Sequence, residues 1–371
     1  MSFFNKKNII SGYKYLSVYN SQNFRDQISL YNTDSHFSLL KNTNLSSVGF
    51  YKDWVSMSLH RGTESWGAGE NIQLGINQNS DPYNYISLAS NYGNLRVRYI
   101  HGFLERSDEN INRYLTAKGL EWTNKKSLVI GFSESIIYSG YNRSFEIGYL
   151  NPLSFHLETE LNNRLNITGN NNSNAIWQFH LDLFIIKKLR LSLNYLIDEF
   201  VLDRDIEIGK EHGSALSMRI STVLIKNEKL SQNIYLKIIK VGTPTFRHAN
   251  GQNNFVLNMS PLGWSEGSDI DYISVGSNIL NFKNFMFGIE IGGKEIGSEN
   301  ILKRPYDPFK DYKKGSFPSG NTQKINFLKS YFECSINSLT SIYMNVNIKN
   351  KLDQEIQIGF SRIIFNKKDL D

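Results

Sequence analysis

The dominant pattern along the chain is alternation with a period of two. In Val55-Ser56-Met57-Ser58-Leu59-His60 the odd positions are apolar and the even ones polar, while Ile72-Gln73-Leu74-Gly75-Ile76-Asn77 alternates in the other parity. The same rhythm returns over 189–195, 216–221, 342–348 and 356–361. Such alternation predicts strands with two unlike faces, and helical periodicity is almost absent. Each run is about ten residues or a little less, the length that crosses a bilayer when tilted.

The connections sharpen this. Read back from the C-terminus, short turns at 337–340, 281–284, 226–229 and 186–188 alternate with long loops at 293–321, 241–270 and 199–213. Outer-membrane barrels have short periplasmic turns and long extracellular loops. A soluble sandwich has no reason to gather its long loops at one end. The predicted fold is therefore all-β, a transmembrane antiparallel β-barrel with its C-terminus on the periplasmic side.

The same bookkeeping predicts strands over 72–78 and 145–150. With a further short turn at 123–126, the orientation closes only if another strand lies near 154–161, where Phe155 and Leu157 alternate with His156 and Glu158. That makes about 17 strands after Asp53, with one or more from the first 50 residues to complete an even number. Residues 1–50 are read as an N-terminal segment that contributes the first strand or strands, and 51–371 as the barrel.

Composition excludes a helical membrane protein. Mean hydropathy is −0.38, and the apolar runs are as short as Leu183-Phe184-Ile185-Ile186, against the roughly 20 residues a spanning helix needs. The 20 Tyr and 23 Phe fit the aromatic girdles of a barrel, although an exported sandwich is rich in them too. The single cysteine, Cys334, forms no internal disulfide, and no Cys/His spacing suits zinc, so neither a metal nor a cofactor is expected. The net charge of +6 suits an acidic polymer or lipid headgroup, but it is spread along the whole chain, as heavy use of Lys alone would make it. Lys6 and Lys7 imitate the start of a signal peptide, but 8–13 is no apolar core. The expectation is that the start of the gene product lies upstream.

No nucleotide, P-loop, zinc or G-x-S-x-G motif is present, and no nucleic-acid partner is expected. Carboxylates cluster at Glu134, Glu146, Glu158, Glu160, Asp198 and Glu199. A glycosidase would need two of them about 5–10 Å apart. The other reading is a ring of lumen charges paired with Arg96, Arg98, Arg113, Arg143 and Arg190. Glu134 shares parity with apolar Ile130 and Phe132, so a bulge or a strand end is expected there. In the loop 303–314, Lys303, Arg304, Tyr306, Lys310, Tyr312 and Lys313 mix cations with aromatic faces. That mixture suits an acidic glycan, or else a solvated loop held by its prolines. The segment 246–264 is a weaker candidate of the same kind.

Several blocks occur in a telling order: Arg61-Gly62-Thr63-Glu64-Ser65-Trp66-Gly67-Ala68-Gly69, then 99–105, then 113–121 from Arg113 to Glu121, then 131–138 ending in Tyr138. Phe145-Glu146-Ile147-Gly148-Tyr149-Leu150-Asn151-Pro152 and 196–200 around Asp198 follow. This succession resembles the capsule-assembly Wzi family from about Trp54 onward. The resemblance implies an outer-membrane barrel of about 18 strands. It also implies a non-enzymatic, monomeric surface lectin that helps to retain capsular polysaccharide, with outer-membrane lipid as its other partner. Trp66, Gly67, Gly69, Arg113, Glu121, Glu134, Tyr138, Glu146, Asn151, Pro152 and Asp198 then count as family-motif positions, structural or lumenal. The family usually carries Trp-Gly-Pro-Gly, where this chain has Ala68 in place of the proline. The family's periplasmic helical portion is not found here. A porin-like or solute-specific channel is the alternative that the polar inner faces leave open.

Overall fold

Within hydrocarbon a strand has only other strands to satisfy its amides, and here each strand finds that partner next to it in the sequence. The computed structural model describes residues 2–4, 10–16, 44–52, 54–150, 173–199, 212–248, 251–281, 284–302, 315–337, 340–350 and 353–362. The strands are β1 (Ser2–Phe4), β2 (Ile10–Leu16), β3 (Asn44–Lys52), β4 (Val55–Gly62), β5 (Tyr83–Tyr92), β6 (Leu95–Arg106) and β7 (Ile111–Thr123). β8 (Leu128–Tyr141), β9 (Ser173–Ile186), β10 (Leu189–Glu199), β11 (Gly213–Lys226) and β12 (Leu230–Val241) follow. After the small hairpin β13 (Val256–Leu257) and β14 (Ser260–Pro261) come β15 (Ile270–Asn281), β16 (Phe285–Ile296), β17 (Gln323–Asn337), β18 (Thr340–Lys349) and β19 (Asp353–Arg362). Apart from the hairpin, all belong to one antiparallel sheet of 17 strands.

The alternation becomes two faces. Met57, Leu59, Leu120, Ile273, Val275, Ile291 and Ile358 are exposed apolar residues on the outer face. Ser58, Asn194, Ser217, Lys237 and Ser274, which face inward, are buried polar residues. A soluble protein reverses that arrangement; a wall with lipid outside and polar protein inside demands it. The connections 93–94, 124–127, 187–188 and 227–229 close one end of the sheet. Two are held by a turn asparagine: Asn124 Oδ1 accepts from the amides of Lys126, Ser127 and Leu128 at 2.8–2.9 Å, and Asn227 Oδ1 from those of Lys229 and Leu230. The strand ends that bound 63–82, 142–172, 200–212, 242–269 and 297–322 all lie at the other end, with those that bound the short 107–110 and 350–352.

Two expected strands take another form. The alternating run 72–77 belongs to no wall strand; it lies in the 63–82 loop, with Ile72, Leu74 and Ile76 buried. Its alternation reflects an apolar plug interior rather than lipid. Residues 145–150 form a loop ending in one turn of 3-10 helix, Ile147–Leu150. The segment 154–161 lies outside the described residues, and the orientation does not require it. β8 pairs directly with β9, from Leu128↔Leu183 to Tyr138↔Ser173, so one connection returns the chain. Fourteen sheet strands, β4–β12 and β15–β19, are therefore described after Asp53.

The outward assignment has a measurable cost. Val275→Lys, in the middle of β15 on the outer face, is expected to destabilise the refolded protein in lipid by about 2–4 kcal/mol. Asn278→Lys on the inner face should cost far less in the same denaturant titration.

Candidate functional site

The inward face of β6–β11 carries polar side chains that water would otherwise have to satisfy, and the 63–82 loop folds inside the wall to meet them. Trp66 bridges Ile76, its amide donating to Ile76 O at 3.1 Å. Gln178 on β9 donates to Trp66 O at 3.0 Å and accepts from Gly75 N at 2.9 Å. Asn194 on β10 accepts from Ala68 N at 2.7 Å and reaches Ala68 O and Ile72 O at 3.0 and 3.1 Å. Ser217 and Arg219 on β11 bind Ile72 O and Glu70. Arg98 on β6 pairs with Glu64 at 2.6 Å and lies over the Trp66 ring.

Gly67, with φ of 121°, is required twice over. That region disfavours side chains, and a Cβ there would meet Asn194 and Gln178 at 2.5 Å. Ala68 uses an N–H that a proline in its place would lack.

A second loop, 242–269, seals against the first. Asn77 N donates to Leu262 O and Trp264 N to Leu74 O, each at 2.9 Å. Gly263 is so close to Leu74 that a Cβ would sit 1.7 Å from its carbonyl oxygen. This loop is held by Asp198, which accepts from Phe246 N at 2.5 Å, by Arg113, which donates to Asn254 O, and by Asn174. Asp269, fully buried, ties it to the next loop through Ser319 and Glu299. Trp66, Leu74, Phe255, Leu262, Trp264 and wall residues such as Leu115 and Leu196 share one apolar cluster. At this level the lumen holds a protein core.

Beneath this plug, toward the short-turn end, a cavity of about 100 Å³ lies between Glu70, Arg219, Lys237, Tyr272, Glu290 and Tyr331. Glu290 accepts from Lys237 Nζ, Ser274 Oγ, and the Tyr235 and Tyr272 hydroxyls at 2.6–3.0 Å. Four donors on one carboxylate fix its position and balance its charge.

The expected charge ring is largely re-paired. Arg96 lies 3.7 Å from Glu121, Arg98 binds Glu64, Arg113 binds Glu105 and Arg190 binds Asp182. Glu121 also meets His180 at 3.2 Å. Glu146 is not a lumen charge. It sits in the 142–150 loop, paired with Arg143 at 2.6 Å, and that loop folds over the outer face of β6–β8. There Phe145 stacks on His101 at 3.7 Å and Tyr149 on Tyr138 at 4.4 Å, and Tyr99 donates to Tyr149 O.

Glu134 stands on the same outer face, in mid-strand and without the expected bulge, since β8 keeps register with both neighbours. It is 1% exposed, held by Lys118 Nζ at 2.9 Å and by Trp177 Nε1 at 2.8 Å. Charge pairing within the wall makes the parity tolerable. Glu134 and Asp198 therefore face opposite sides of the sheet and share no cleft. Asn151, Pro152, Glu158, Glu160 and the 303–314 loop, with Lys303, Arg304, Tyr306, Lys310, Tyr312 and Lys313, lie outside the described residues. Sequence reasoning missed Asn194 and Gln178, whose only signal was a polar residue at an inward position.

Fold and geometry define an outer-membrane β-barrel with loops folded into its lumen. No family model matches the sequence, and no curated protein does. Among solved structures the chain is similar to Wzi, described as an outer membrane protein involved in group 1 capsule assembly in Escherichia coli and a carbohydrate-binding β-barrel. The identity is 9% and the TM-score 0.60, over 86% of this chain and 78% of that one. It is also similar to OccK3 (OpdO) of Pseudomonas aeruginosa, at 7% identity and TM-score 0.44 over 85% and 77%. OprD of the same organism matches at 9% identity and TM-score 0.42, over 86% and 78%. The Wzi likeness establishes the fold, which with its exposed apolar band places this chain in an outer membrane.

Substitutions at two places test the geometry. Asn194→Leu strands the Ala68 and Ile72 backbone groups, each at a cost of about 1–3 kcal/mol. It should free the 63–82 loop, seen as new protease cleavage there while the wall strands stay intact. For the outer pair, Lys118→Met should cost about 3–5 kcal/mol by leaving Glu134 uncompensated. Adding Glu134→Gln should restore much of that loss; strictly additive costs would show the pair to be uncoupled.

Proposed function

We propose that this barrel is a non-enzymatic, lectin-like protein that holds capsular or another acidic surface polysaccharide at the cell surface. The observation that carries the reading is the filled lumen. Loops 63–82 and 242–269 occupy the space that a solute channel keeps open. What remains for function is the extracellular end, where the long intervals gather. One of them, 303–314, supplies Lys303, Arg304, Lys310 and Lys313 beside Tyr306 and Tyr312. Cations pair with uronate or phosphate groups, and aromatic faces stack on sugar rings. In this reading residues 1–50 contribute the first strands and 51–371 make the barrel, which acts as a monomer without a cofactor. Support also comes from the similarity in fold to Wzi, a carbohydrate-binding barrel.

The channel alternative is tested by conductance in planar bilayers. The lectin reading expects a silent barrel; steady open conductance in the wild type would overturn it. A deletion strain should shed polysaccharide that the wild type keeps cell-bound, and a complementing copy with Tyr306→Ala and Tyr312→Ala should restore retention only in part.

A further inference from the structure

The outer wall carries a feature that neither the plug nor the polysaccharide reading uses. Pairing registers align two rows across its long-loop end: Ser46↔Arg61, Arg61↔Asn84 and Asn84↔Phe103, and beneath them Val48↔Leu59, Leu59↔Ile86 and Ile86↔His101. Both rows point outward, since exposed Val48, Leu59 and Phe103 share their parity. The upper row is polar and cationic as far as Phe103, the lower one largely apolar. Phe145, stacked on His101, raises a side wall, and the recess so formed encloses about 460 Å³.

Charge pairing marks the same place. The other arginines with described side chains each lie within 3.7 Å of a carboxylate. Arg61 and Arg106 have none among the described residues. Arg61 donates weakly to Asn84 Oδ1 at 3.4 Å, and Arg106 donates to Asn110 and Asn142 Oδ1 at 2.7 and 3.0 Å. Arg106 pairs with Asn112 just past the β6 bulge, one position beyond inward Glu105, so it too stands on the outer face. One strand, β5, lies between it and Arg61, two inter-strand spacings or about 10 Å across the sheet. Arg61, which lines the recess, and Arg106, beyond Phe103 along the same extracellular edge of the lipid-facing wall, are thus the two arginines without a carboxylate partner among the described residues.

We propose that this recess is a binding site for a phosphorylated glycolipid of the outer leaflet. An acyl chain lies against Val48, Leu59, Ile86 and Phe145, and the headgroup phosphates are taken by Arg61 and Arg106. The fold puts lipid against this face, which leaves an amphiphile as the occupant. The planar guanidinium fork matches phosphate in bidentate fashion, and basic pockets beside apolar membrane surface bind anionic headgroups. The lumen carboxylates play no part in it.

The test uses the full chain folded in neutral detergent, titrated by native mass spectrometry. The probes are a bisphosphorylated, multiply acylated glucosamine disaccharide lipid, its dephosphorylated form, and phosphatidylglycerol. The wild type should bind the phosphorylated glycolipid at least about tenfold more tightly than either comparison lipid, and Arg61→Gln with Arg106→Gln should abolish that preference. Arg61→Lys alone should lose part of it by keeping charge without the fork. Phe145→Ala should weaken all three lipids, and Lys125→Gln, in a turn at the opposite end, none. Heat-modifiable migration on gels confirms that each variant is folded. Equal binding of the phosphorylated and dephosphorylated forms, a preference for phosphatidylglycerol, or an undiminished preference in the double glutamine variant would each overturn the proposal.

Discussion

A wall one strand thick has to satisfy two solvents at once, and the rest of this structure depends on how its inner side is satisfied. The backbone amides are consumed by the ladders between neighbouring strands. The inward side chains are not, and many are amides and hydroxyls that are costly to bury unpaired. Asn194, Gln178 and Ser217 find partners in the backbone of the 63–82 loop, which thereby enters the lumen instead of standing in solvent. Once there, its apolar residues need burial of their own, and the 242–269 loop supplies it through Leu262 and Trp264. Asp198 and Arg113 then fix that second loop to the wall. The filled lumen is a sequence of hydrogen-bond obligations, each discharged by the next element.

The outer side obeys the same logic with lipid as the solvent. A charge pair within it, Glu134 with Lys118, is buried beside Trp177, and close by the 142–150 loop covers Tyr114, Tyr138 and Tyr99. On this sector, between β6 and β9, part of the wall faces protein of its own chain. That explains how a carboxylate can occupy an apolar parity position without breaking the strand. Arg61 on β4 and Arg106 on β6 are the exceptions among the described arginine side chains, the others of which each meet a carboxylate.

Much of the wall was legible because a strand between lipid and a polar interior has to alternate, and because short and long connections segregate to opposite ends. The turns at 186–188 and 226–229 and the strands that flank them stand where the pattern put them. Alternation does not say what lies on either side, however. The run 72–77 alternates as cleanly as β4, yet its apolar residues face a plug core, and no local feature distinguishes the two cases. The loop at 145–150 misled for a related reason, since its aromatics serve packing on the outer wall. Of the site, the Trp66-Gly67-Ala68-Gly69 turn was visible as a motif. Its partners Gln178 and Asn194 were not, because a polar residue at an inward position looks the same whether it meets water or a folded loop.

The central claim is that the 63–82 loop is part of the barrel's interior, and amide hydrogen exchange on the folded protein in detergent tests it most directly. The amides of Trp66, Gly75 and Asn77 are bonded to Ile76 O, Gln178 Oε1 and Leu262 O. They should exchange as slowly as those of the wall strands β9 and β10, and far more slowly than the turn-tip amide of Lys125. Exchange of all three at the rate of the turn would contradict the account, because the loop would then lie in water and the lumen would be open.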